Sequence, residues 1–199
     1  MFRRAASAAV TLLFFAGTPI VLDRTLAIVG HRVITLSEAK TQATITSILD
    51  RKRTPDPEAS PDEIEGALQT LVRQALIDHY LDNLGLVSEI PVDRVNRVNE
   101  ELRNNPGAKG LPDAMVGRLL KSRVRTEIFL ERHLPFRITV TEGEALAHYQ
   151  TEKNRRFLGK PYRSIAAIVR ADLAKEKTQK EFEKWLETET KRTEVVYLR

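Results

Sequence analysis

Cysteine is absent from the 199 residues. Disulfides and thiol chemistry are thereby excluded, and packing alone has to hold the fold. Aromatic residues are scarce, at 6% of the chain with a single tryptophan; Phe157, Tyr162, Phe182 and Trp185 are among those in the last third. No long block of one charge sign occurs, and no Lys/Arg stripe is interleaved with aromatics as single-stranded nucleic-acid binding requires. The four histidines, His31, His79, His133 and His148, stand singly. None lies three or four residues from another, so the spacing of a zinc site is missing. No serine occupies a nucleophile elbow. Gly107 and Gly110 fall between two helical stretches rather than after a strand, which leaves no phosphate cradle. These absences favour binding or holding over catalysis, with no catalytic residue, metal or cofactor expected.

What is present is a charged, helix-rich chain. Charged residues reach 30% and hydrophobic ones 42%, a composition that suits solvated helical faces around a real core. The one long uncharged stretch is Ala5 to Ala16, preceded by Arg3 and Arg4 and followed by Gly17, Thr18 and Pro19. That layout is read as a secretory signal peptide over residues 1–22, too short to span a bilayer as a retained helix. Its removal takes away two arginines and no acid, so the net charge falls from +5 to +3. The expected location is the periplasm, with no stable membrane insertion after cleavage.

The organising stretch is Leu26 to Lys40. Leu26–Val29 and Val33–Leu36 are two β-rich runs joined through Gly30 and His31, which reads as a hairpin. Thr35 and Glu38 have capping-box spacing and open a helix over Ser37–Asp50, with Ala39, Ile45, Ile48 and Leu49 on one side. A lone hairpin is marginal in water. The strand-like tail Glu194–Leu198 is the one available partner. The expected fold is therefore mostly α, a multi-helix body with a small antiparallel sheet formed by an N-terminal hairpin and the C-terminal strand.

Between these ends the helices announce themselves. Residues 51–61 form an exposed loop broken by Pro55, Pro57 and Pro61. Ser60, Pro61 and Glu63 open a helix carrying Ile64, Leu68, Leu71, Val72, Ala75, Leu76 and Tyr80, and Gly85 ends it. Pro91–Asn104 is a shorter helix with Val92, Val95, Val98 and Leu102. Residues 104–110 are a loop. Pro112–Leu134 presents Val116, Leu119, Leu120, Val124, Ile128 and Leu134. Thr141 and Glu144 start a helix to Lys153 that carries Leu146 and Tyr149. After a break at Phe157–Pro161, a long helix runs to Thr190 with Ile165, Ile168, Val169, Leu173, Phe182, Trp185 and Leu186. Phe182 and Trp185 are read as core packing. Glu100 and Glu101 are read as solvated acids paired along their own helix with Arg97 and Arg103.

Four stretches taken in order resemble a known family. LDRTLAIVGHRVITLSEAK resembles the mature start of SurA-type periplasmic chaperones. LVRQALIDHYLDNLGLVSEIPVDRV, RITVTEGEALAHYQTEKNRRF and FEKWLETETKRTEVVYLR resemble that family's later helical segments and closing strand. The resemblance implies a helical module over 23–156 completed by a helix and strand over 161–199. It also implies an ATP-independent holdase whose partners are unfolded outer-membrane polypeptides. The family usually carries parvulin-type isomerase domains where Phe157–Pro161 stands here, and no such domain fits, so isomerase activity is not expected. Tyr80, Met115 and Leu119 are candidate peptide-binding residues, against the plainer reading that they are core. The alternative is a non-enzymatic envelope adaptor that binds one folded partner.

Overall fold

The computed structural model describes residues 23–56, 58–86, 90–132 and 138–198. The signal-peptide reading of 1–22, His133 and Leu134 lie outside them.

Strand β1 (Thr25–Val29) turns through Gly30 and His31 into β2 (Arg32–Thr35). Gly30 has φ +55° while His31 keeps a negative φ, the pattern of a type II′ turn, which fits the right-handed twist of a hairpin. Strand β3 (Val195–Tyr197) lies antiparallel on the other side of β1, giving the order β2–β1–β3. Ala27, Ile28 and Val29 face Tyr197, Val196 and Val195. Beyond the strand, Gly30 N–H donates to the Glu194 carbonyl at 2.9 Å and Leu198 N–H to that of Leu26 at 2.8 Å. The two ends of the described chain thus meet in one sheet, and the architecture is mostly helical with this small sheet. One sheet face is core, with Ala27, Val29 and Ile34 at most 1% exposed. On the other, Val33 and Val196 remain accessible.

Helix α1 (Leu36–Leu49) follows β2 without a loop. Thr35 Oγ1 accepts from Glu38 N–H at 3.4 Å, so the cap forms. The expected reciprocal bond does not. Glu38 is buried, and its carboxylate accepts instead from Arg32 of β2 at 2.5 Å. Nor does α1 bury only one side. Thr41, Gln42, Ala43 and Ser47 are buried together with Ala39, Ile45, Ile48 and Leu49, because α2 (Pro61–Asn83), α3 (Val92–Arg103) and α4 (Asp113–Arg132) all pack against it. The start of α2 is as expected: Ser60 Oγ accepts from Glu63 N–H, and the Glu63 carboxylate accepts from Ser60 N–H. Gly85 closes it at φ +63°, with Leu86 N–H reaching the Leu81 carbonyl and Gly85 N–H that of Asp82, a Schellman motif.

The main core combines the sheet, α1, α2 and α4, with Leu102 and Ala108 completing one side. Helix α5 (Glu142–Glu152) opens on the expected Thr141–Glu144 capping box. Helix α6 (Tyr162–Arg192) is about 46 Å long at 1.5 Å per residue. Its first half buries Ile165 and Val169 against Ala145, Tyr149 and Phe157. Its second half lays Phe182 and Trp185 against Ile77 and Leu81 of α2 and Phe129 of α4. Several apolar residues do not pack as their spacing predicts. Val92 and Ile168 are largely exposed, at 67% and 60%, and Leu146 at 41%. Conversely Phe157, inside the expected break, is buried.

Candidate polypeptide-binding surfaces

Tyr80, Met115 and Leu119 do not form one groove. Leu119 is 2% exposed in the main core, and Met115 packs on the same cluster from the preceding turn of α4. Tyr80 belongs to the second cluster, edge-on to Phe129 with centroids 6.0 Å apart and to Trp185 at 5.3 Å. With Trp185, Glu181, Lys184, Thr188, Glu189 and Arg192 it lines a depression of about 330 Å³ on the flank of α6. Phe182 is buried core, stacked on Trp185 at 5.9 Å. Trp185 is half-buried and shows part of its ring to that depression.

A larger and more apolar groove lies at the end of the sheet. It is an open depression of about 760 Å³ between β3, the start of β1 and the first turns of α2. Ile64 and Leu68 form the helical wall, Leu26 and Leu36 the floor, and Tyr197 and Leu198 the opposite side. Arg24 and Glu65 supply one charge of each sign at its rim. Tyr197 and Leu198 are 48% and 41% exposed. Ile64 and Leu68 belong to the apolar stripe of α2, which in the sequence reads as uniformly core. Leu68 is core at 6% exposed, while Ile64, one turn earlier, is only half-buried, so the stripe opens at its first turn. The signal in the sequence was the unguarded apolar tail Val195–Leu198, which carries no charge between Glu194 and Arg199.

A polar cleft of about 570 Å³ lies at the opposite end of the hairpin, where His31 and His79 meet Arg32, Asp78, Asp82 and Arg125. Asp78 accepts from Ser122 Oγ at 2.8 Å and from Arg125 at 3.0 Å. Burial pushes its carboxyl above the usual carboxylate range, against the pull of those two donors. The His79 ring covers the hairpin turn, 3.5 Å from where a β-carbon on Gly30 would stand. In the α5–α6 unit, His148 Nε2 lies 2.9 Å from Asp172, which also accepts from Arg156 at 2.8 Å. These two partners hold the Asp172 carboxyl below its usual range. Among the described residues no group of His, Asp and Glu has the arrangement of a metal site. The expected pairing of Glu101 within α3 is replaced by an ion pair with Lys52 of the loop between α1 and α2, and Arg103 pairs with Asp113. Those contacts tie the Pro-rich loop and α4 to α3.

No described helix is long and apolar enough to cross a membrane. No protein-family model matches the chain, and neither does any curated protein.

Proposed function

We propose that the protein is an ATP-independent chaperone of the periplasm, a holdase that binds unfolded outer-membrane polypeptides. In this reading it corresponds to the helical core of SurA-type chaperones without their isomerase domains. The observation that carries it is the open apolar groove beside β3, walled by Ile64, Leu68, Tyr197 and Leu198 and rimmed by one cation and one anion. A site of this kind takes apolar side chains without demanding a particular sequence or charge. Unfolded outer-membrane strands present such side chains at alternate positions. The mixed-charge exterior supports the same reading, because ion pairs spread over every helix keep a loaded complex soluble.

The test is aggregation of a porin diluted from urea, followed by light scattering. Near-stoichiometric protein suppresses the scattering on this account. Unchanged aggregation at micromolar protein overturns it. A single tight folded partner in place of broad binding would point to an envelope adaptor instead.

A further inference from the structure

We infer that β3 accepts an extended polypeptide as a fourth strand along its free edge, beside the groove that Tyr197 borders. The inference rests on the holdase reading and specifies where and how the client is held.

The backbone sets the geometry. Gly30 bonds to Glu194 and Leu198 to Leu26, and Ile28 faces Val196. Antiparallel alternation therefore turns residues 194, 196 and 198 toward β1. The N–H and C=O groups of Val195 and Tyr197 point the other way. Among the described residues these four groups have no partner. They lie two residues apart, about 6.8 Å along the strand, a spacing that matches another strand and no small ligand. Side chains alternate as well. Val195 and Tyr197 share the face of Ala27 and Val29, the side on which α2 packs. An added strand would thus turn every second side chain to the face on which α2 packs, next to Tyr197, and the rest to the opposite face.

The other edge is less suited. β2 runs directly into α1 and begins with Arg32, which is engaged with Glu38. β3 has no charged residue over Val195–Leu198 and stands half open. Unguarded apolar edges are pairing sites, and a strand edge beside a helix is a recurrent way of gripping extended peptides, main chain supplying affinity and alternate pockets supplying preference. The occupant is accordingly an extended polypeptide with apolar side chains at every second residue and no fixed charge.

The probe is a fluorescent ten-residue peptide alternating valine or tyrosine with serine, read by anisotropy against the full chain. Two further peptides carry N-methyl groups on the odd or on the even residues. One methylated series should bind at least about tenfold more weakly and the other near normally, because only one set of N–H groups faces β3. Equal binding by both series overturns the inference. Tyr197→Pro removes one outward N–H while leaving the bonds of Val196 and Leu198 to β1 intact; it should weaken binding by a similar factor, and Tyr197→Phe should not. The peptide pair needs no mutant and stands if Tyr197→Pro fails to fold. Porin aggregation separates the two readings. Suppression by wild type that persists fully in folded Tyr197→Pro removes the strand site and keeps the holdase. Register-dependent peptide binding without suppression keeps the strand site and removes the holdase. A dimer that Tyr197→Pro dissociates overturns the inference, since a second copy then owns the edge.

Discussion

Glu38 is the residue whose surroundings matter most to the hairpin. Its side chain is 4% exposed, and the Arg32 guanidinium that satisfies it is 44% exposed. Removing the carboxylate leaves the arginine free to hydrate, so the loss is that of a charge-assisted bond rather than of an orphaned buried charge. Glu38→Ala should lower stability by roughly 1–3 kcal/mol in urea unfolding, and Glu38→Gln by less, since an amide oxygen still accepts from Arg32. Glu144 gives a prediction in pH. Its carboxylate accepts from Lys177 of α6 at 2.5 Å and from the Thr141 backbone N–H at 2.8 Å. Those donors, Lys177 foremost, hold it at about 2 rather than the usual 4.5. A lowered carboxyl stabilises the fold fully above 4.5 and loses that contribution as pH falls toward 2. Between those limits the melting temperature of wild type should drop faster than that of Glu144→Gln. Parallel curves would contradict the assignment.

At the scale of elements, what could be read from the sequence was whatever depends on near neighbours in the chain. The Ser60–Glu63 and Thr141–Glu144 boxes and the Gly85 cap involve residues within a few positions, and all three form. Ser60→Ala should accordingly cost about 1 kcal/mol, measurable as a shift in the urea midpoint at unchanged slope. Elements that depend on distant partners were misread. Thr41, Gln42 and Ser47 of α1 carry no hydrophobic signal, yet helices on several sides bury them. Ile168 and Val92 keep helical spacing but remain largely exposed. Glu38 has the capping-box spacing of Glu63 and Glu144, but Arg32 on the neighbouring strand outbids the cap N–H for its carboxylate. The loop after α1 shows the same dependence on distance. A β-carbon on Gly107 would stand 2.5 Å from Pro55 Cδ, so only glycine lets the turn after α3 approach that loop. Gly107→Ala should displace the loop, lower stability, and speed proteolysis within residues 51–61.

For the whole molecule, the hairpin-plus-tail sheet was legible because two marginal strand signals at opposite ends each lacked another partner. The groove was not, because it forms where β3 and the first turns of α2 come together, and neither strand length nor helix periodicity encodes that meeting. Leu119, a candidate from the sequence, is core on α4, while Tyr197 stands half exposed beside the groove. Strand β3 closes the sheet against β1 and, on the proposal, offers its other edge to a client. Truncation before Thr193 should weaken both functions together, exposing the β1 edge and lowering the melting temperature as well as peptide affinity.

The most direct measurement places a photo-reactive benzoylphenylalanine at position 197 and, as a control, at Ile168, which is 60% exposed on α6. Each protein is irradiated in the presence of a porin freshly diluted from urea. A covalent adduct with the unfolded porin is expected from position 197, little from position 168, and loss of the adduct when an excess of the alternating peptide is added. Equal labelling from both positions, or none from 197 under conditions where the protein suppresses aggregation, would contradict it.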